Sequence, residues 1–177
     1  AVALGANGSA WVEASAWAIL RRPRTFALIP HATAPGTNDP AGFRVDDCAT
    51  QRNLSAEGRA QAVRIGDLFR ANGIVAADVY SSQWCRCLDT ASLMGLGEVR
   101  PQPLLNSFFQ DRTREAGQIE ALRRWIGQLD LAKPTVFVTH QVVVTALSQV
   151  FPGSGEIVAM QRGADGRLSV QGRLPTA

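Results

Sequence analysis

The chain has two histidines, and both follow a short apolar run. Thr25-Phe-Ala-Leu-Ile29 reads as a strand that delivers His31, after Pro30, into a turn rich in Pro and Gly. Thr135-Val-Phe-Val-Thr139 is a second β-branched run and delivers His140 into the start of a helical pattern. Ser81-Ser82 closes a third strand-like segment, Asp78–Ser81, and Arg86 follows in a helical stretch where it shares a face with Thr90. Open parallel sheets bind ligands outside the carboxyl ends of their strands, so these residues are expected at one crevice. The chemistry they suit is nucleophilic attack on phosphorus. A neutral, oriented imidazole supplies the electron pair, and an arginine offsets charge on the phosphoryl oxygens. The free N–H groups at the start of the helix after His140, beginning with Gln141, add to an anion site.

The elements that must carry these residues read as an alternation of strands and helices. A leading helix covers Ser9–Arg24, ahead of a single domain over 25–177. A loop over Pro35–Ala49 bears Asp39, Arg44, Asp46 and Asp47. A helix capped by Ser55 runs to Asn72-Gly73, and another follows Ser82 and ends at Gly95. Val99–Leu105 is extended, Asn106–Asp111 is a loop, and Arg112–Leu129 is an amphipathic helix. A helix over Gln141–Val150 and a hairpin from Ile157–Gln161 and Leu168–Gly172, turning at Gly163–Gly166, complete the pattern. The fold class expected is α/β, a three-layer αβα sandwich with a mostly parallel central sheet.

Composition narrows the functional classes. At 177 residues, 46% hydrophobic and 19% charged, the chain is the size of one domain and has no apolar run long enough to span a bilayer. Its net charge of +3 comes from scattered arginines and one lysine, Lys133. That pattern suits small anionic ligands better than nucleic acid. The turn after the first strand lacks the glycine spacing of a dinucleotide site. Trp11, Trp17, Phe108 and Phe109 are candidates for a protein-partner surface, or simply for the core. The small apolar start Ala1-Val-Ala-Leu-Gly-Ala suggests the remnant of an export signal. Three cysteines, Cys48, Cys85 and Cys87, match no zinc or haem spacing and allow either one disulfide with a free thiol or three buried thiols.

From Thr25 to Phe151 the chain resembles the histidine phosphatase superfamily, with its phosphoglycerate-mutase-like fold. Four segments carry the resemblance in family order: Leu28-Ile-Pro-His31-Ala; Asn53-Leu-Ser-Ala-Glu-Gly-Arg-Ala-Gln-Ala62; Ser81-Ser-Gln-Trp-Cys-Arg86-Cys-Leu-Asp-Thr-Ala91; and Val138-Thr-His140. The resemblance implies a phosphomonoesterase without metal or cofactor, acting on a small phosphorylated substrate and binding inorganic phosphate. It implies that His31 is the nucleophile that becomes phosphohistidine, that Arg86 binds phosphate, and that His140 is a second phosphate ligand. The family's leaving-group acid is an Asp or Glu from mid-chain, for which Asp111 is the nearby candidate. Asp46-Asp-Cys48 and Cys85 are further similar to exported phosphatases of lipopolysaccharide-core heptose phosphates, which implies a periplasmic or secreted setting and a Cys48–Cys85 disulfide. One position departs from the family: Pro30 stands where the motif has arginine, removing a guanidinium and a backbone N–H. Arg44, Arg52 and Arg59 are possible substitutes. The departure leaves a second class open, a catalytically silent binding or scaffold protein.

Overall fold

The computed structural model describes residues 6–176. The first five residues, on which the export reading rests, and the side chain of Trp11 lie outside the described residues. Six strands form one sheet: β1 (Thr25–Pro30), β2 (Asp78–Ser81), β3 (Val99–Pro101), β4 (Thr135–Thr139), β5 (Ile157–Arg162) and β6 (Leu168–Leu174), in the order β3-β2-β4-β1-β5-β6. β1 to β4 are mutually parallel, while β5 runs antiparallel to both β1 and β6. Side chains alternate along β1: Ala27 and Ile29 enter one core, Phe26 and Leu28 the other. Five helices cover the two faces: α1 (Ala6–Leu20), α2 (Ala56–Ala71), α3 (Cys85–Met94), α4 (Glu115–Gln128) and α5 (Gln141–Ser148). Ala16, Trp17, Ile65, Phe69, Ala91 and Met94 place α1, α2 and α3 on the first face. Ile119, Leu122, Ile126, Val143 and Val144 place α4 and α5 on the second. The result is an αβα sandwich, and no helix among the described residues is long and apolar enough to cross a membrane.

Several boundaries differ from the sequence expectation for local reasons. The leading helix ends at Leu20, ahead of Pro23. The extended segment after α3 stops at Pro101, because Pro103 opens a 3-10 turn, Pro103–Leu105, capped by the Gln102 side chain. Arg112–Arg114 is likewise a 3-10 turn, so α4 begins at Glu115. α5 ends at Ser148, since Gln149 adopts a left-handed φ of 61°. Of the adjacent aromatics in the 106–111 loop, Phe108 is core and Phe109 is half exposed.

The parallel register explains how the sheet tolerates Pro30. His31 N donates to Thr139 O on the β4 side, and successive residues direct their amides to opposite neighbours, so position 30 faces the β5 side. β5 starts only at Ile157, and there Gly155 N donates to Pro30 O. A donor at position 30 would lie beyond the paired ladder, where proline costs no hydrogen bond.

The turn after β1 is fastened to α2 at close range. Ser55 caps α2 by accepting from Gly58 N at 2.9 Å, and its own amide donates to Thr33 O. A Cβ built on Gly58 would lie 2.0 Å from Thr33 O. Gln61 Oε1 accepts from both Thr33 N and Thr33 Oγ1, while its amide donates to Ser154 O. The spacing Ser55-x-x-Gly58-x-x-Gln61 is thus one device that holds the segment after His31. Gly58→Ala is expected to cost roughly 3 kcal/mol, because backbone stands in the way of the methyl group, and to lower the melting midpoint by roughly 6–12 °C. An unchanged midpoint would show that the contact can relax.

Candidate active site

β1 and β4 are neighbours, and β2 pairs with the other side of β4. The residues at their carboxyl ends therefore meet. The rings of His31 and His140 lie edge to face with centroids 5.6 Å apart. They line a cavity of about 220 Å³ together with Asp39, Arg52, Trp84, Arg86, Ser107, Phe109 and Gln141, among others. Gln141 stands at the rim with its side-chain amide donating to Pro152 O.

His31 is held as a neutral imidazole. Its Nδ1 lies 2.8 Å from Ala32 O, an acceptor, so Nδ1 carries the proton and Nε2 keeps its electron pair. Burial lowers its pKa to about 4, against the raising effect of the Ala32 carbonyl and with help from Arg86 and Arg52. The Ala32 amide donates to Thr90 Oγ1, which itself donates to Arg86 O one helical turn earlier. The face shared by Arg86 and Thr90 on α3 thus reaches the His31 turn directly.

His140 is buried except where it meets the cavity. Its Nε2 is 2.8 Å from Ser82 Oγ and 3.5 Å from Cys87 Sγ, and Trp84 packs edge to face against the ring. Burial, then His31, Arg86 and Arg52, hold it well below the ordinary histidine range. Ser82 is set by Asn106, whose Oδ1 also accepts from Gln83 N. Burial pushes the Cys87 thiol up to about 12, so it stays protonated and inert beneath the ring.

Both folded-state histidine pKa values lie below the unfolded value of 6.5. Stability contributed by keeping them neutral is complete above that value and is lost as the pH falls toward about 4, because the unfolded chain takes protons first. For His31 alone this amounts to roughly 3 kcal/mol. Melting at about pH 4.5 is therefore expected to lie well below melting at about pH 7.5, and a flat profile would contradict the burial of neutral imidazoles.

Arg86 and Asp39 form the buried ion pair of the site. The guanidinium forks onto the carboxylate, Nη1 to Oδ1 at 2.8 Å and Nη2 to Oδ2 at 3.2 Å, with side chains 4% and 6% exposed. Asp39 also accepts from Arg52 N and from Trp84 Nε1, each at 3.0 Å. Burial alone would raise its pKa; the donors of Arg86, Arg52 and Trp84 outweigh that and hold it below the usual carboxylate value. Arg86 Nε and Arg52 Nε are buried without a hydrogen-bond partner. Buried orphan donors beside two imidazoles fit an anionic ligand.

Of the three arginines that could replace the one missing at position 30, the structure brings one to the cavity. Arg44 is paired with Asp46 and Asp47, and Arg59 with Asp89, whereas Arg52 lines the cavity and donates to Ala34 O. Asp111, the leaving-group acid implied by the resemblance, is not brought to the cavity. Its exposed carboxylate caps the 3-10 turn by accepting from Thr113 N and Thr113 Oγ1. Asp39 is the one carboxylate among the lining residues, and sequence reasoning gave it no role. Cys48 and Cys85 are joined by a disulfide that closes 37 residues of separation, and Cys87 is free. The bond fastens the loop bearing Asp39 to the first residue of α3, beside Arg86, and in the chain-entropy model contributes about 4 kcal/mol.

Residues 47–115 match the model of the histidine phosphatase superfamily, branch 1. The fold matches solved structures over most of its length. The protein histidine phosphatase SixA complexed with tungstate has a TM-score of 0.65 at 12% identity, covering 86% of this chain and 97% of that one. The mycobacterial glucosyl-3-phosphoglycerate phosphatase complexed with VO3 has a TM-score of 0.60 at 15% identity, covering 83% and 96%. A phosphoserine phosphatase variant from Entamoeba histolytica, in complex with phosphoserine, has a TM-score of 0.59 at 14% identity, covering 86% and 97%. At these identities the likeness is one of fold. A search of curated protein sequences finds no match. Residues 47–115 thus carry the sequence pattern of the histidine phosphatase superfamily, and the sandwich is the phosphoglycerate-mutase-like fold.

Proposed function

We propose that the protein hydrolyses phosphomonoesters through a phosphohistidine on His31. The observation that carries this is the His31 ring itself: neutral, with Nδ1 tied to Ala32 O, at a cavity also lined by His140, Arg52 and Arg86. Nε2 attacks phosphorus in line, the N–P bond forms, and the ester P–O bond breaks with its electron pair on the departing oxygen. Water then attacks the phosphohistidine, and the N–P bond breaks to release phosphate. His140, its Nε2 engaged by Ser82 Oγ, lines the same cavity and is the second imidazole beside the transferring phosphoryl group. Asp39, held by four hydrogen bonds, is not free to protonate the leaving oxygen. Turnover is therefore expected to favour esters that depart as stable anions, such as aryl phosphates. The disulfide supports an exported setting, since such bonds persist in oxidising compartments.

A second reading, a catalytically silent phosphate-binding protein, is favoured by Pro30 together with the Asp39–Arg86 pair, which lower the positive charge that stabilises a transition state. Rapid acid-free quenching during hydrolysis of an aryl phosphate, followed by peptide mapping, separates the two. The expected result is phosphate on the His31 peptide. Tight phosphate binding with neither label nor turnover would leave the silent reading standing.

A further inference from the structure

Asp39 sits where a ligand of Arg86 would otherwise sit. It takes the Nη1/Nη2 end of the guanidinium, and a third donation, from Nη1 to Arg52 O, completes that side. Arg86 Nε is buried without a partner, and the residue lines the cavity beside His31 and His140. All four acceptor positions of the carboxylate are used by Arg86, Arg52 N and Trp84 Nε1, so Asp39 offers the ligand no hydrogen bond and acts on it by charge alone.

The charged groups that face this point can be taken element by element. The segment after β1 contributes neutral His31, anionic Asp39 and cationic Arg52; α3 contributes cationic Arg86 and the protonated thiol of Cys87; the end of β4 contributes neutral His140. The 106–111 loop adds Ser107, Phe109 and Gln110, and the 151–156 loop adds Ser154, none of them charged. Glu156 is turned away into its pair with Arg173. Two positive charges and one negative leave the cavity with a balance of one positive charge.

We infer that Asp39 is a specificity-determining residue that fits the cavity to a singly charged phosphoryl group, a monoanionic phosphate or phosphate ester, in preference to a dianion. A dianion placed in the cavity beside Arg86, Arg52 and Asp39 has one charge matched and a second that meets the buried carboxylate. In a site of low dielectric that repulsion is large. The inference rests on the reading of the cavity as a phosphate site and specifies its substrate class.

Inorganic phosphate and sulfate are the probes, each titrated at about pH 5.5 and about pH 8 by calorimetry or thermal shift. Phosphate passes from monoanion to dianion across that range, while sulfate is a dianion throughout. His31, with its pKa near 4, stays neutral at both. Phosphate is expected to bind about tenfold or more tightly at the lower pH, and sulfate weakly at both, by the size of one unmatched charge in a partly buried site. Asp39→Asn keeps the shape and removes the charge. It is expected to strengthen sulfate binding at least tenfold and to abolish the pH preference for phosphate. Sulfate binding as tight as phosphate at the lower pH would overturn the inference from the wild-type protein alone, whether or not the variant folds. An Asp39→Asn protein that folds with unchanged anion preference would overturn it too. If neither anion binds at either pH, the phosphate-site reading itself fails, and this inference with it.

Discussion

Replacing His31 by alanine is expected to abolish turnover of an aryl phosphate, lowering kcat by about 10³-fold or more, and to remove the covalent label while leaving phosphate bound. The loss is large because His31 Nε2 forms the bond that splits one difficult displacement into two easier ones. The other imidazole of the cavity and the thiol beside it are not free to take its place. His140 Nε2 is engaged by Ser82, and the Cys87 thiol is buried with its pKa pushed up to about 12. Phosphate binding is expected to survive, since Arg52, Arg86 and His140 remain. Thermal shift with inorganic phosphate, run beside the kinetic assay, checks that survival. Turnover unaffected by the substitution would remove His31 from its role and with it the proposed mechanism.

The same histidine shows how far the sequence could be read. Runs of apolar residues with β-branching stop at Ile29 and Thr139, and an imidazole at the end of each run has to sit at the carboxyl edge of a parallel sheet. The position of both catalytic candidates was legible for that reason. So was the Ser55-x-x-Gly58-x-x-Gln61 segment as a pattern, although its purpose was not, because the contact that demands glycine is with Thr33, across the turn after β1. Asp39 was illegible in a stronger sense. It lies 47 residues before Arg86 in a loop without periodicity, and its partnership depends on how that loop closes over α3. Asp111 shows the converse. A carboxylate near the right place in the chain satisfied the pattern, but the local demand of a 3-10 turn for a cap claimed it. Helical and extended periodicities report burial against a surface, whereas ion pairs between distant loops leave no trace in spacing.

Pro30→Arg is expected to raise kcat/KM for an aryl phosphate by about 10²-fold, the scale of one transition-state donor in an enclosed site. The backbone accepts the change: position 30 lies past the start of β5, where an added N–H meets no strand, and its carbonyl keeps the bond from Gly155. Position 30 lies in register with Thr139 at the carboxyl end of β1, one residue before His31. The new guanidinium would bring the positive balance of the cavity from one to two, matching a dianionic ester. The gain should therefore be greater at about pH 8 than at about pH 5.5, a signature that mere stabilisation would not produce. Pro30→Ala, which removes the ring without adding charge, is the control and should change turnover by no more than about threefold, since no charge is gained. His31→Ala in the Pro30→Arg background should be inert. A folded Pro30→Arg protein that binds phosphate more tightly and still turns nothing over would show that charge was not what the site lacked. In that case the fold serves here to hold a phosphorylated ligand, and the phosphohistidine mechanism would have to be withdrawn.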